Sequence, residues 1–314
     1  MAEIWTMGEM LVEIMRPRTG LSLNEAAEFL GPFPSGAPAI FIDTVARLGH
    51  SAGIIGGVAE DDFGQCILDR LLSDGVDLRF VEKMSDRATA VAFVTYFQDG
   101  SRKFIYHIDG TPAAAVRFPK AAVGDTTAFF HVMGCSLMIN DAFRVEIFKA
   151  VESFHDQGTR ISFDPNIRPE LLGSRNLMDF VGLVLERSSI VMPGEAELRL
   201  IGGDQDLMKS VEVLFENPIL DMIVLKRGRR GATIFTREKA LEIPAFQVNE
   251  VDPTGAGDCF DAAFLCGLLE RKSLEDCGKM AAAAGALNAA AFGPMEGKIS
   301  PETVQELMLK LAGS

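Results

Sequence analysis

The segment Asp-Pro-Thr-Gly-Ala-Gly-Asp at positions 252–258 has the residue types and spacing best suited to chemistry in this chain, and helical sequence follows it to about Glu270. A Gly-Ala-Gly turn at the start of a helix exposes unpaired backbone N–H groups at the positive end of the helix dipole. Its small side chains let an anion approach. A carboxylate at the mouth of such a site, here Asp258, can accept a proton from a hydroxyl while the backbone dipoles stabilise a transferring phosphoryl group. The segment therefore predicts phosphorylation of a hydroxyl group.

Other glycine-rich motifs give no competing prediction. No Gly-x-Gly-x-x-Gly follows the first strand, and the run from Gly293 to Ile299 is one residue too short for a Walker A loop and lacks its Ser or Thr. A dinucleotide dehydrogenase and a P-loop NTPase are therefore unsupported. A plain loop turn with Asp258 as an acidic residue at a helix start stays an alternative, because short glycine motifs recur without function.

Composition narrows the classes of partner. The 314 residues carry 30 basic and 44 acidic side chains, a net charge of −14, and 48% of them are hydrophobic. This acidic balance argues against nucleic acid as a partner, because phosphate backbones select for basic stripes. The uncharged stretch from Met280 to Met295 is too short for a membrane span, and the N-terminus lacks the pattern of a secretory signal. We expect a cytoplasmic protein that binds neither nucleic acid nor membrane.

Cysteine and histidine spacing predicts no zinc site and no disulfide framework. The five cysteines include no Cys-x-x-Cys pair, and the four histidines show no metal-binding spacing. Any metal is therefore expected to be bound by oxygen.

Short apolar runs alternate with segments of helical period, which is typical of βαβ units on a parallel sheet. The predicted strands are 52–56, 129–133, 160–164, 190–192 and 222–226, and the clearest helices are 63–74 and 143–154. This pattern predicts a layered α/β sheet.

Two segments interrupt the alternation. The first, at about 12–34, is rich in Pro and Gly and has no long helix; the second, at about 88–117, is β-rich. Within the second, the runs 90–98 and 103–108 flank Asp99-Gly100, a strong signal for a type I′ hairpin turn. We predict one α/β domain over residues 1–314, from which these segments form a small antiparallel β-flap that serves as a lid or a dimer surface.

The segment from Asp252 to Phe260 resembles the C-terminal signature of the PfkB (ribokinase-like) family of carbohydrate kinases, and the resemblance covers nearly the whole chain. Three further pieces follow in the family's order, at 35–49, 57–64 and 75–77. The resemblance implies a ribokinase-like sheet, mostly parallel, with helices on both faces and a β-flap lid. It also implies ATP and Mg²⁺ as cofactors, with a monovalent cation possible and a homodimer through the lid possible.

The resemblance also implies roles at the phosphate end. Asp258 would be the catalytic base, and the N–H groups of Gly255, Ala256 and Gly257 would hold the transferred phosphoryl group. Asp252 would help hold Mg²⁺ and the phosphates. The implied nucleotide-binding residues are Lys226, Gly228, Gly231, Asp252 and Thr254. For residues 226–232 the alternative is a strand-turn-strand with solvated arginines.

The implied metal residue is Glu197. It ends the stretch Pro-Gly-Glu-Ala-Glu at 193–197, which lies where the family carries Asn-x-x-Glu, and it would reach Mg²⁺ through water. The usual Asn is Gly194 in this chain.

The stretch from Phe163 to Pro169 is similar to the Asp-x-Asn-x-Arg stretch of 2-keto-3-deoxygluconate kinases and many fructokinases. At a strand's C-terminal end, Asn166 and Arg168 would face the crevice where ligands bind in open α/β sheets. A guanidinium suits a carboxylate or phosphate better than a neutral sugar. A turn-stabilising ion pair between Asp164 and Arg168 is the alternative.

The remaining substrate candidates are Glu13, Gly36, Arg102 and Tyr106. Glu13 stands where the family has Asp, and Ile40 replaces an Asn that usually contacts sugar hydroxyls. Arg102 and Tyr106 on the flap either reach over the substrate or pack on their own hairpin.

We therefore predict an ATP-dependent kinase that transfers the γ-phosphoryl group to a primary hydroxyl of a keto-sugar or sugar acid. The first expected substrate is 2-keto-3-deoxygluconate, and the second is fructose or another hexose or pentose. A sugar-binding regulator that has lost catalysis is the alternative from another class.

Overall fold

The computed structural model describes residues 2–98, 101–122, 124, 126–173 and 176–312. The described strands are β1 (Ile4–Met7), β2 (Leu11–Met15), β3 (Leu30–Ser35), β4 (Ala52–Ala59), β5 (Asp77–Met84), β6 (Ala90–Tyr96), β7 (Arg102–His107), β8 (Phe129–Met133), β9 (Arg160–Asp164), β10 (Ser188–Val191), β11 (Met222–Lys226), β12 (Ala232–Thr236) and β13 (Ala240–Ile243). The described helices are α1 (Ala37–Arg47), α2 (Asp62–Ser73), α3 (Gly134–Leu137), α4 (Asp141–Asp156), α5 (Pro169–Leu172), α6 (Met178–Arg187), α7 (Glu195–Gly202), α8 (Leu207–Leu214), α9 (Ala256–Leu269), α10 (Leu274–Ala289) and α11 (Pro301–Ala312).

The large sheet has the strand order β13-β12-β11-β10-β9-β8-β1-β4-β5. Its pairs are parallel except β11–β12 and β12–β13, which are antiparallel and form one edge. Each face carries its own apolar core. One core packs α1, α2, α9 and α10 against the sheet, and the other packs α4, α6, α7 and α8. The predicted layered α/β sheet with helices on both faces is confirmed.

The predicted elements agree closely with the structure. The predicted strands at 129–133, 160–164 and 222–226 coincide with β8, β9 and β11, and 52–56 lies within β4. The predicted strand at 190–192 overlaps β10, which begins at Ser188 and ends at Val191. The helix predicted at 63–74 is α2, shifted by one residue, and 143–154 lies within α4.

The small sheet forms the lid and has the order β3-β2-β6-β7. The two interrupting segments supply these strands, with β2 and β3 from the first and β6 and β7 from the second. The expectation of a purely antiparallel flap is wrong, because β2 and β6 pair in parallel with Leu11 opposite Ala90. This orientation joins two separate chain segments, so no hairpin constrains it. The predicted Asp99-Gly100 turn lies outside the described residues, although β6 and β7 pair antiparallel as expected.

The loop between β2 and β3 folds around a buried arginine. Arg16 is fully buried, and its guanidinium donates to the carbonyl oxygens of Ser22, Glu25 and Glu28. The same guanidinium lies 3.8 Å from the centre of the Phe29 ring. Because a buried cation needs partners for its donors, the loop is held compact without a helix of its own.

The chemistry-bearing residues lie where parallel strands end. Asp164 ends β9 and Lys226 ends β11, and both strands point to the same edge of the sheet as the start of α9. The lid covers that edge. Within the described residues, no helix combines the length and apolar character needed to cross a membrane.

Candidate active site

Helix α9 begins at the predicted glycine turn. Gly255 is its N-cap residue with φ +78°, and a Cβ atom there would lie 2.3 Å from the carbonyl oxygen of Pro294, so only glycine fits. A Cβ on Gly257 would meet only the Lys226 Nζ atom, at 3.8 Å. The turn therefore leaves open space next to the first N–H groups of the helix, which have no intrahelical acceptor. The Ala256 N–H donates a long 3.3 Å bond to the Pro253 carbonyl.

Two cavities meet at this turn. The lid cavity, of about 220 Å³, lies between the lid and the ends of the central strands, and Glu13, Asn166, Arg168 and Asp258 line it. The helix cavity, of about 460 Å³, lies between the loop after β11, the segment 245–250 and the helices α9 and α10. Lys226, Pro253 and Gly257 line both cavities. A ligand in one cavity can therefore reach a ligand in the other across the N-terminus of α9.

Asp258 lies at this junction and is almost fully buried. The Asn166 amide donates to Asp258 Oδ1 over 3.2 Å, which fixes one carboxylate oxygen. Burial raises the pKa of Asp258 to about 7, and the neighbouring Asp164 charge adds to the rise. A carboxylate with a pKa near neutrality suits proton transfer from a hydroxyl at physiological pH.

Two residues that line the lid cavity each have a buried oxygen atom with no hydrogen-bond partner in the described structure. Glu13 Oε1 accepts a 2.6 Å bond from the Ser35 hydroxyl, but Glu13 Oε2 is unpaired, and so is Asn166 Oδ1. Burial raises the pKa of Glu13 to about 7. Buried acceptors without donors are rare, so these two atoms fit a ligand that brings hydroxyl groups.

The other predicted substrate residues also reach the lid cavity. Gly36, Arg102, Tyr106 and Arg168 all line it. Gly36 has φ +105°, and a Cβ would lie 2.5 Å from the Glu9 carbonyl oxygen. Asp164 forms an ion pair with Lys226, at 2.7 Å, and its carboxylate also accepts from the Asn166 N–H, at 3.1 Å, so both contacts fix it.

The predicted nucleotide loop borders the helix cavity. Lys226, Gly228 and Gly231 line it, and both glycines have positive φ. The backbone is also the strand-turn-strand of the alternative interpretation, since β11 and β12 flank a short 3₁₀ turn at Gly228–Arg230. The two interpretations are therefore compatible.

Comparison with known proteins agrees with this geometry. A family model described as pfkB family carbohydrate kinase matches residues 1–300. Fructokinase-1 of Oryza sativa subsp. japonica is 31% identical over 315 residues, covering 96% of each chain. The chain belongs to the pfkB family of carbohydrate kinases.

Two solved structures of pfkB-like fold are similar over almost the whole chain. A provisionally assigned ribokinase II from Escherichia coli, in complex with ATP and Mg²⁺, is 35% identical with a TM-score of 0.91, covering 99% of this chain and 100% of that one. Fructokinase from Xylella fastidiosa with bound ATP is 23% identical with a TM-score of 0.88 and the same coverage, a likeness that concerns the fold.

Asp252, a predicted metal and phosphate residue of this pfkB kinase, has both carboxylate oxygens occupied by protein donors. Oδ1 accepts from the Thr254 N–H and the Tyr96 hydroxyl, each at 3.0 Å, and Oδ2 accepts from the Gly293 N–H at 3.1 Å. These contacts favour a role in holding the loop before α9. Direct contact of Asp252 with metal stays a prediction.

Glu197, the predicted metal residue, is likewise engaged by backbone. Its carboxylate accepts from the Gly194 N–H at 2.7 Å and from the Ile167 N–H at 2.8 Å. In the described residues, no group of three or more acidic, His or Cys side chains forms a metal site. The arrangement fits an indirect contact through water, which stays a prediction.

Sequence reasoning missed Tyr96 and Glu9. The Tyr96 hydroxyl links the lid to Asp252 and lies 3.3 Å from Thr254 Oγ1, to which Arg102 also donates over 3.0 Å. Glu9 is buried in the lid cavity wall and accepts from Ser136 and, at 3.2 Å, from Cys135. Alternation along β6, whose residues Ala90, Ala92 and Val94 are buried, was the signal that could have placed Tyr96 on the inward face.

Replacing Tyr96 by phenylalanine is expected to raise the KM for the sugar by about 2- to 10-fold with kcat nearly unchanged, because one lid-to-loop hydrogen bond is lost. The effect should be equal for all sugars, since Tyr96 does not line the lid cavity. Steady-state kinetics on two sugars measure it. The matched control is Tyr106→Phe, which changes a cavity wall and should alter the preference between sugars. An unchanged KM in the Tyr96 variant would contradict a role of the Tyr96–Asp252 hydrogen bond in holding the lid.

Proposed function

We propose that this pfkB kinase transfers the γ-phosphoryl group of ATP to a primary hydroxyl of a neutral keto-sugar of the fructose type. The observation that carries the proposal is the junction of two cavities at the start of α9, with Asp258 at the meeting point. The lid cavity suits the sugar, and the helix cavity suits the nucleotide.

The reaction follows from this geometry. Asp258 takes the proton of the hydroxyl, whose oxygen forms the new bond to the γ-phosphorus while the bond to the bridging oxygen breaks. ADP leaves with the electron pair of the broken bond. The N–H groups at the start of α9 stabilise the charge on the transferring group. When bound, Mg²⁺ would neutralise phosphate charge, and Glu197 would hold it through water.

Two features favour a neutral keto-sugar. The unpaired acceptors Glu13 Oε2 and Asn166 Oδ1 can each accept a hydrogen bond from a hydroxyl group. The five acidic side chains that line the lid cavity outnumber its three cations, Arg102, Arg168 and Lys226, which disfavours an anionic ligand. The names of listed relatives such as Fructokinase-1 of Oryza sativa subsp. japonica favour fructose over 2-keto-3-deoxygluconate. Ile40 lines the lid cavity with an apolar side chain, so a sugar hydroxyl placed against it would have no hydrogen-bond partner there.

Assays with purified protein, ATP and Mg²⁺ test the proposal. ADP release and phosphorus NMR of the product, over fructose, 2-keto-3-deoxygluconate and ribose, should show the highest kcat/KM with fructose. No turnover with any sugar would overturn the kinase assignment, and turnover with the keto-acid alone would overturn the neutral substrate. A monovalent cation as a cofactor and a homodimer through the lid also stay predictions for this protein.

A sugar acid is the second candidate, because Arg168 lines the lid cavity. If its guanidinium binds a carboxylate, Arg168→Gln should lower the kcat/KM ratio of keto-acid to fructose by about tenfold or more, the worth of a charge-assisted hydrogen bond. Arg117→Gln, at an exposed arginine outside the lid cavity, is the matched control. An unchanged ratio would exclude this contact.

The raised pKa of Asp258 predicts a pH dependence. Protonation removes the base, so kcat/KM should fall as the pH drops below about 7 and approach a tenfold loss per pH unit well below it. Because the pKa of Glu13 is also raised to about 7, the profile should be repeated with Glu13→Gln, which leaves the Asp258 titration in place. The informative range is about pH 5.5 to 7.5, which extends from about 1.5 units below the Asp258 pKa to about 0.5 above it. A kcat/KM that stays constant over this range would contradict Asp258 as the base.

A further inference from the structure

The ammonium of Lys226 is held by two carboxylates, neither of which has a role in the reaction described above. Lys226 Nζ lies 2.7 Å from Asp164 Oδ2, and 2.9 Å and 3.1 Å from the two oxygens of Asp261. Asp261 is fully buried and lies on α9, three residues after Asp258. The two side chains come from different elements, β9 and α9, and their carboxyl groups also contact each other beside the ammonium.

The same set connects to the proposed base. Asp164 also accepts from the Asn166 N–H at 3.1 Å and from the Asn166 amide at 3.4 Å, and that amide donates to Asp258. One chain of contacts therefore runs from Asp261 through Lys226, Asp164 and Asn166 to Asp258. A displacement at its Asp261 end changes the position of the ammonium first.

Neutralising Lys226 requires only one carboxylate. A second fully buried carboxylate costs desolvation energy that the pair with Lys226 only partly offsets. A flexible four-carbon stem, however, leaves an ammonium free to move, and contacts with two carboxyl groups on different elements fix it in place. The fixed position is the boundary of the two cavities, close to Gly257.

We propose that Asp261 is a positioning residue that, together with Asp164, holds the Lys226 ammonium against the phosphoryl group as it passes between the cavities. This inference rests on the proposed kinase function. In that position the ammonium stabilises charge on the transferring group without having to reorganise during the reaction.

We call this arrangement of Asp164 and Asp261 around the Lys226 ammonium the clamp. Three variants test it: Asp261→Asn, Lys226→Met and the double variant. Asp261→Asn should lower kcat at least about tenfold with the KM for the sugar nearly unchanged, and Lys226→Met should lower kcat by about 100-fold. Because Asp261 acts through Lys226, the double variant should lose no more than Lys226→Met alone. A kcat of Asp261→Asn equal to that of the parent, or losses that multiply in the double variant, would overturn the clamp.

Asp43→Asn is the matched control. Asp43 is equally buried and pairs with Arg70 at 3.3 Å, but it lines neither cavity, so its variant should lose stability and keep kcat. If Asp261→Asn does not fold, the double variant is used instead, because it removes both partners of the Lys226–Asp261 pair and leaves no unpaired buried charge between them. Its kcat is then compared directly with that of Lys226→Met. If the unmodified protein is active and the kcat losses of the two single variants multiply in the double variant, the clamp is refuted and the kinase function is retained. If the unmodified protein is inactive on every sugar, both proposals are refuted.

Discussion

Replacement of Asp258 by asparagine is expected to lower kcat by about 10²- to 10⁴-fold, the usual contribution of a positioned general base. The amide keeps the shape of the side chain at the junction of the cavities but cannot take the hydroxyl proton. Binding of sugar and ATP, measured by calorimetry, should change little, because the pocket walls are unaltered. This split between binding and turnover also separates a kinase from a regulator that has lost catalysis, which has no turnover to lose.

The control for this prediction is again Asp43→Asn. Asp43 matches Asp258 in burial, and burial likewise raises its pKa to about 7, but it lies away from both cavities. A similar fall in kcat in both variants would show that loss of a buried carboxylate, rather than loss of a base, explains the effect. Near-parent kcat in Asp258→Asn would refute the assignment of the base.

Gly255→Ala is expected to lower kcat by about 10²- to 10³-fold, because it displaces the N–H groups at the start of α9. It should also lower the free energy of unfolding by about 1–3 kcal/mol, since the residue has φ +78° and its Cβ would meet the Pro294 carbonyl at 2.3 Å. Single-turnover kinetics and urea unfolding measure the two effects separately.

Gly158→Ala provides the comparison for this variant. Gly158 has φ +80°, nearly the same conformation, but its Cβ would meet nothing within 4 Å, and it lies at the exposed end of α4. It should therefore lose stability from backbone strain alone, with kcat unchanged. If Gly255→Ala retained the parent kcat, the turn would not be the phosphoryl-binding site.

The active-site turn could be predicted from sequence because one contiguous segment determines it. Gly255, Gly257 and Asp258 act through the local backbone and the start of a single helix, so their spacing suffices. The strands β8 and β11 were predictable for a related reason, since each is a mainly apolar run that is buried on both faces.

Contacts between distant segments could not be predicted. The Lys226–Asp261 pair joins residues 35 apart, and the Tyr96–Asp252 bond joins residues 156 apart. Neither pair has a local spacing that marks it. The resemblance also implied that Asp252 holds metal. In the structure its carboxylate oxygens accept from the Tyr96 hydroxyl and the Gly293 N–H, and these contacts depend on how the lid and the C-terminal loops come together.

The parallel pairing of β2 with β6 has a consequence for protein engineering. The sugar-facing side of the site is assembled from two stretches separated by α1, β4, α2 and β5, so neither stretch forms that wall alone. If residues 90–107 alone were taken from a relative, the new β6 would pair with a β2 strand that still carries the original side chains. A chimera intended to exchange substrate preference must therefore replace both stretches together, with their register preserved.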